Sequence, residues 1–196
     1  DQIIHIVIEL AGHEVESIEE IWLNDDLAID AAGVVQDKFS ETITTETCEV
    51  TGAEPVTTVC TTTETQIAYV LVEKALGTQT TNPFPTLAAE VPKWTADHVM
   101  RGRAGIYVRL EWKTGLWPNG IPNISAVVRG KNDIRDPRDG SVGYTDNAAL
   151  CLANYLQDSQ YGLGEPDTAI NDAELIAAAQ VSDEEQALAG GGKEAR

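Results

Sequence analysis

The chain opens on a run in which Ile4, Ile6, Ile8 and Leu10 alternate with Ile3, His5, Val7 and Glu9. That two-residue period, carried by β-branched side chains, predicts a half-buried strand. A second strand-like stretch, Glu14 to Leu23, ends at Asn24-Asp25-Asp26, residue types that favour a turn. Leu27 to Val35 offers a third, shorter strand, and Ile67 to Leu76 a fourth that Gly77 stops. Asn82-Pro83-Phe84-Pro85 reads as a loop. Thr95 is placed to cap a short helix, Ala96 to Met100, before Arg101-Gly102. The strongest strand signal in the chain is Ala104 to Trp112. A loop, Trp117 to Pro122, separates it from a further strand, Ile124 to Arg129.

Beyond the turn Asp136-Pro137-Arg138-Asp139-Gly140 the period changes. Ala149, Leu152, Ala153 and Leu156 fall at i, i+3, i+4 and i+7, one face of a helix. Asp146 is placed to cap it, and Tyr161-Gly162-Leu163-Gly164 to end it with glycines that can take positive φ. A second helix starts at Asn171, with Glu174 three residues on and Ile170 able to staple to Leu175, and runs to about Val181. Strands followed by helices argue an α+β fold: a mostly antiparallel, barrel-like sheet body with two helices near the C-terminus.

One stretch breaks the pattern. From Gln36 to Gln66 Thr dominates, with Glu interspersed and Gly52-Ala53-Glu54-Pro55 at the midpoint. Alternating Thr and Val on both sides predict a β-ribbon protruding from the body. A disordered polar loop is the alternative, because such tracts bring little core-forming surface. The resulting plan has residues 1–36 and 66–142 as the β-rich body, 37–65 as a Thr-rich hairpin insertion and 143–196 as a helical part. The last of these ends in Leu188 to Arg196, a Gly-rich loop that reads as cut short. An opening that starts directly on a strand likewise reads as excision from a longer polypeptide.

Charge narrows the partners. Acids outnumber bases 32 to 13, for a net charge of −19. Phosphate backbones and anionic membranes need clustered Lys and Arg, so neither is an expected partner. No apolar run reaches the ~18 residues of a membrane span. The acids serve a soluble, mutually repelling surface or a wall that DNA passes without sticking, and both readings stay open. Three cysteines are too few for a disulfide scaffold. Cys151 falls in an apolar helical pattern and reads as buried filler. Cys48 and Cys60 stand on opposite arms of the ribbon, where a cross-link and a pair of thiols both fit.

Candidate chemistry is sparse. His5, His13 and His98 lack metal-site spacing, and no nucleophile elbow, P-loop or dinucleotide fingerprint occurs. Asp25, Asp26 and Glu111 could form a carboxylate pair, but 32 acids select no particular two. Asp136 to Gly140 lacks the alternating oxygen ligands of a calcium loop. Trp94, Tyr107, Trp112 and Trp117 gather around the strongest strand; they read as loop anchors, with sugar stacking as the alternative. No residue is nominated as catalytic, cofactor-binding or metal-ligating, no cofactor is expected, and the chain reads as no enzyme.

Two stretches carry a resemblance. The first is Ile121 to Lys131 (Ile-Pro-Asn-Ile-Ser-Ala-Val-Val-Arg-Gly-Lys), followed by Asp136-Pro137-Arg138-Asp139-Gly140. The second is Asp146 to Leu156 (Asp-Asn-Ala-Ala-Leu-Cys-Leu-Ala-Asn-Tyr-Leu), then Tyr161-Gly162-Leu163-Gly164, then the helix through Ile176-Ala177-Ala178-Ala179. Together they resemble the central tail-hub, or tail-tip, proteins of long-tailed bacteriophages, the family that includes host-specificity proteins. Gly12-His13-Glu14-Val15, Trp22-Leu23-Asn24-Asp25, and Trp94-Thr95 before the Arg101 to Trp112 strand also fit. Ala148 stands where that family usually has Pro, a mild change at the first helical turn. Asp37 to Glu64 has no counterpart and reads as a lineage-specific insertion.

The resemblance implies a virion structural protein made in the host bacterial cytoplasm. It would trimerise to close the far end of the tail tube, beneath the tube rings and the tape-measure protein. Receptor-binding parts would lie further along the chain. A cell-wall-degrading or carbohydrate-binding tail module is the alternative.

Overall fold

The computed structural model describes residues 2–51, 57–187 and 193–195. The expected ribbon turn, Gly52 to Pro55, and most of the Gly-rich tail lie outside the described residues. The fold is α+β, with mostly antiparallel sheets and two of three helices near the C-terminus. The chain divides into two compact units. One holds Asp1–His13 and Ser17–Val128; the other holds Glu14–Glu16 and Arg129–Arg196.

In the larger unit β1 (Ile3–Ala11), β7 (Ala104–Glu111) and β6 (Val70–Leu76) form one antiparallel sheet with β7 in the middle. A second sheet has the order β3 (Asp26–Ile29), β2 (Ser17–Leu23), β8 (Ile124–Arg129). The third is a two-stranded ribbon, β4 (Ser40–Thr51) with β5 (Thr57–Ala68). A short helix, α1 (Pro85–Glu90), lies in the link between β6 and β7.

Pairing on both edges satisfies the β7 backbone, so its side chains can be buried on both faces. Ile106, Val108 and Leu110 are fully buried on one face. On the other, Tyr107 packs with Ala75, Phe84 and Leu87. Gly105 marks a close approach of β1: a Cβ there would sit 2.6 Å from the Ile8 carbonyl oxygen. Leu23 pairs with Asp26, leaving Asn24 and Asp25 as a two-residue turn. Asn24 takes φ 56°, a conformation Asn tolerates better than most residues.

Three expectations are corrected here. The stretch Ile67 to Leu76 is two strands, because Ile67 and Ala68 complete the ribbon opposite Glu41 and Ser40. The chain then bends at Tyr69, whose N–H donates to Phe39 and whose carbonyl accepts from Glu111, before Val70 joins β7. Asn82 to Phe84 form the expected loop, but Pro85 opens helix α1, which is too short to show a period. Ala96 to Met100 is not a helix. The Thr95 carbonyl and hydroxyl instead accept from the His98 and Asp97 amides in a turn, and Met100 has φ 52°.

The smaller unit contains β9 (Ile134–Arg135) paired with β10 (Val142–Gly143), α2 (Ala148–Gln157) and α3 (Asp172–Ser182). Ile134, Leu150 and Ala179 form its core, with Leu175 packed alongside. That packing puts residues 129–142 with the helices, so the division falls before them and not at 142/143. Glu185–Ala187 (β11) pairs with Lys193–Ala195 (β12), so the two ends of the tail form a ladder where an open loop was expected.

Candidate functional site

A polar network lies in the smaller unit, on residues from both stretches of the resemblance and on neighbours of them. The Asp136 carbonyl accepts from the Gly140 amide at 2.8 Å, closing the turn, while Asp136 Oδ1 accepts from the Arg138 amide at 2.9 Å. The Arg138 guanidinium grips the Asp136 carboxylate, with Nε 2.9 Å from both oxygens, and reaches Asp183 beyond α3. Asp183 accepts in turn from Asn147 Nδ2 at 2.7 Å. Asn147 is a buried polar residue, 4 % exposed. Its Oδ1 accepts from the Leu150 amide at 3.1 Å, capping α2, and its Nδ2 also donates to the Ala179 carbonyl at 2.8 Å. The cap is therefore Asn147 and not Asp146, because only the residue directly before the first turn can reach that amide.

The Arg138 hydrogen bond holds the Asp136 and Asp183 carboxyls below their usual range. A second node joins Lys131 to Asp158 at 2.6 Å and to Asn154 Oδ1 at 3.2 Å. Asp158 also accepts from the Gln160 and Tyr161 amides at 2.8 and 2.9 Å. The Lys131 hydrogen bond, then these amides, hold the Asp158 carboxyl far below the carboxylate range. Burial works against the Lys131 charge, but the Asp158 and Asp133 carboxylates push its pKa up.

Tyr161-Gly162-Leu163-Gly164 folds back over the last turn of α2. Gly162 and Gly164 donate to the Asp158 carbonyl at 3.0 and 3.1 Å, and Leu163 to that of Tyr155 at 3.2 Å. These bonds satisfy carbonyls that a helix end leaves open. Gly164 has φ 70°; at Gly162 the constraint is space, since a Cβ would stand 1.8 Å from the Tyr155 oxygen. The glycines thus close a helix, and their amides are occupied by protein carbonyls.

A second cluster lies on the sheet of the larger unit. His5 Nδ1 is 2.8 Å from the Tyr107 hydroxyl, and Arg109 Nε donates to Glu90 at 2.8 and 3.1 Å. Burial, then the Glu90 charge, pushes the fully buried Tyr107 phenol up to about 12. Held neutral near pH 7, that phenol is a hydrogen-bonding strut and a poor nucleophile. Glu73 Oε1 accepts the Thr86 amide at the start of α1, while its Oε2 is buried with no hydrogen-bond partner among the described residues. Sequence reading missed this cluster. The register that sets His5 opposite Arg109 and Glu73 opposite Tyr107 joins strands too far apart in sequence for spacing to reveal.

The remaining candidates separate. His98 stacks on Trp94, with ring centroids 4.6 Å apart. Asp26 pairs with Lys38 and Glu111 with Lys113, while Asp25 sits in the β2–β3 turn. Cys48 and Cys60 form a disulfide, which removes both thiolates from the single metal-like grouping among the described residues, Glu46-Cys48-Cys60. Cys151 is a half-buried thiol whose pKa burial pushes up.

Of the aromatic residues around β7, Tyr107 and Trp117 are buried and Trp94 and Trp112 half-buried, while Tyr144, Tyr155 and Tyr161 elsewhere are exposed. Trp117, 3 % exposed, stacks on Phe39 and donates its indole N–H to the Glu111 carbonyl at 3.0 Å. The cleft of about 360 Å³ beside it is lined by Asn24, Asp26, Lys38 and the loop 115–122. A second, more apolar groove of about 290 Å³ runs between α2 and α3, past Leu152, Leu156, Ile170 and Leu175. No helix among the described residues is long and apolar enough to cross a membrane. No protein-family model matches the sequence, and comparison with curated proteins gives no match.

Proposed function

We propose that this chain is a structural segment of a phage tail-tip hub, contributing a rigid building block and no chemistry. One observation carries the reading. Lys131, Asp136, Arg138, Asn147 and Gly162, all within the resemblance, spend hydrogen bonds on one another, on Asn154, Asp158 and Asp183, or on backbone groups of the same unit. A motif used up in holding its own fold is a scaffold signature, whereas an enzyme's motif leaves donors and acceptors directed at a substrate.

In this reading the full-length protein trimerises and closes the tail tube beneath the distal tail ring and the tape-measure protein. Other parts of the chain engage the bacterial receptor, and the protein resides in the virion after synthesis in the host cytoplasm. Rigid, shape-complementary subunits are what a symmetric closure demands. The acidic surface adds that DNA leaving the tube meets no cationic brake.

An antibody raised against this chain should decorate the tail tips of particles released by the encoding bacterium, seen by gold-label electron microscopy. Label absent from the particles, with the chain found only in the soluble lysate, overturns the reading. Release of sugars or peptides from purified peptidoglycan by the isolated chain would move it to the cell-wall-degrading alternative.

A further inference from the structure

The β4–β5 ribbon has an unusual combination of features. Its twelve pairs, Ser40↔Ala68 to Thr51↔Thr57, run without a bulge. No third strand joins either outer edge among the described residues. Every described side chain from Glu41 to Ala68 is exposed. A two-stranded hairpin with no core is marginally stable by itself in water. Here the Cys48–Cys60 disulfide, between directly opposed residues near the far end, supplies the missing constraint.

Exposed strand edges invite pairing, and proteins commonly blunt them with Lys, Pro, bulges or a covering element. Neither strand contains a Lys, an Arg or a Pro. Thr is instead the commonest residue, and opposed pairs such as Thr45↔Thr63 and Thr47↔Thr61 set no bulky side chain over the edge. The edge is left open, and its charge selects what it can accept. The segment 40–68 carries Glu41, Glu46, Glu49, Glu54 and Glu64 with no basic residue. A second ribbon would set carboxylates against carboxylates, which opposes self-pairing.

We propose that the ribbon is a docking arm that takes an extended, lysine- or arginine-bearing segment of a different protein as its third strand. Main-chain ladder hydrogen bonds would hold that segment, and the ribbon's carboxylates would select its charge. The inference stands on the ribbon alone and is independent of the tail-hub reading.

The test uses the whole chain with its disulfide intact and three fluorescent synthetic peptides. One alternates Lys with Val and Thr, one carries Glu in place of each Lys, and one keeps the Lys residues but has central prolines. The first should bind about tenfold or more tighter than the proline peptide, which cannot complete a ladder, and the Glu peptide should not bind. Hydrogen exchange should slow at alternate amides of β4 or β5 and nowhere else. Glu46→Lys with Glu64→Lys should shift preference towards the Glu peptide, its ribbon first checked by exchange without peptide. Equal binding of both Lys peptides, or protection outside the ribbon, overturns the proposal. So does concentration-dependent self-association that disappears when the ribbon is removed, which would make a second copy the occupant.

Discussion

Strand β7, paired on both edges, and the β4–β5 ribbon, each strand paired on one edge, stand for opposite ways of holding a strand. In β7 six of eight residues are buried, and the strand is fixed by flanking strands and apolar contact on both faces. In the ribbon every described side chain from Glu41 to Ala68 is exposed, so no buried apolar layer backs those residues. Cross-strand Thr pairs, a disulfide and local hydrogen bonds such as Gln66 Nε2 to Ser40 Oγ at 3.0 Å hold it together. Regular pairing therefore says little about where stability resides. Burial decides it, and the difference should be large and measurable.

The largest effect is expected at the centre of the buried sheet. Leu110→Ala removes a fully buried side chain and should cost about 2–5 kcal/mol, read by urea denaturation. A cost below about 1 kcal/mol would mean that β7 is not the core strand described here.

The smaller unit should fall between the extremes, through charge. Asp158 is held below its unfolded value, so its contribution is fully present above the unfolded carboxyl pKa of about 3.9 and is lost as pH falls through that value towards the folded one. Stability of this unit against denaturant should fall as pH drops from about 5 to about 2, and Lys131→Met should cost about 1.5–3 kcal/mol at pH 7. That variant should also flatten the acid dependence. An unaltered pH profile in Lys131→Met would show that the pair does not hold the end of α2.

Helix capping should register more weakly. Asn171 Oδ1 accepts the Ala173 amide at 2.9 Å, so Asn171→Ala should cost about 0.5–2 kcal/mol in a thermal melt. A melt that does not move would place the start of α3 elsewhere.

Least of all is expected from the ribbon. Replacing Glu41 to Ile67 with a short Gly-Ser link should leave global stability within about 0.5 kcal/mol, since no core is removed and loop closure depends weakly on length. Loss of native circular dichroism in the shortened chain would collapse the contrast between ribbon and core.

Much of this was legible in the sequence because period and burial coincide. The alternation at Ile4, Ile6 and Ile8 marks the half-buried face of β1, and the apolar run of β7 its burial on both faces; the i, i+3, i+4, i+7 pattern located α2 but not its core residue, which is Leu150, while Leu152 is exposed. Thr alternation gave the ribbon through strand preference instead, since its described side chains from Glu41 to Ala68 are exposed. What stayed hidden depends on position in space. Asn147 outdid Asp146 as a cap because backbone geometry, not residue preference, decided between two suitable neighbours. Tyr69 split one apolar run into two strands because its backbone bonds to Phe39 and Glu111, which no local pattern encodes. The Arg138–Asp183 contact spans 45 residues, so the turn Asp136 to Gly140 gave no hint that it anchors α3.

The central claim, that this chain is a building block of a phage tail tip, meets its most direct test in a cryo-electron microscopy reconstruction of the tail end of particles from the encoding bacterium. The account predicts three copies of this fold around the tail axis, directly beneath the last tube ring, with the α2–α3 unit recognisable in each. A tail tip resolved well enough to show helices, and containing no density that fits either unit, would contradict it.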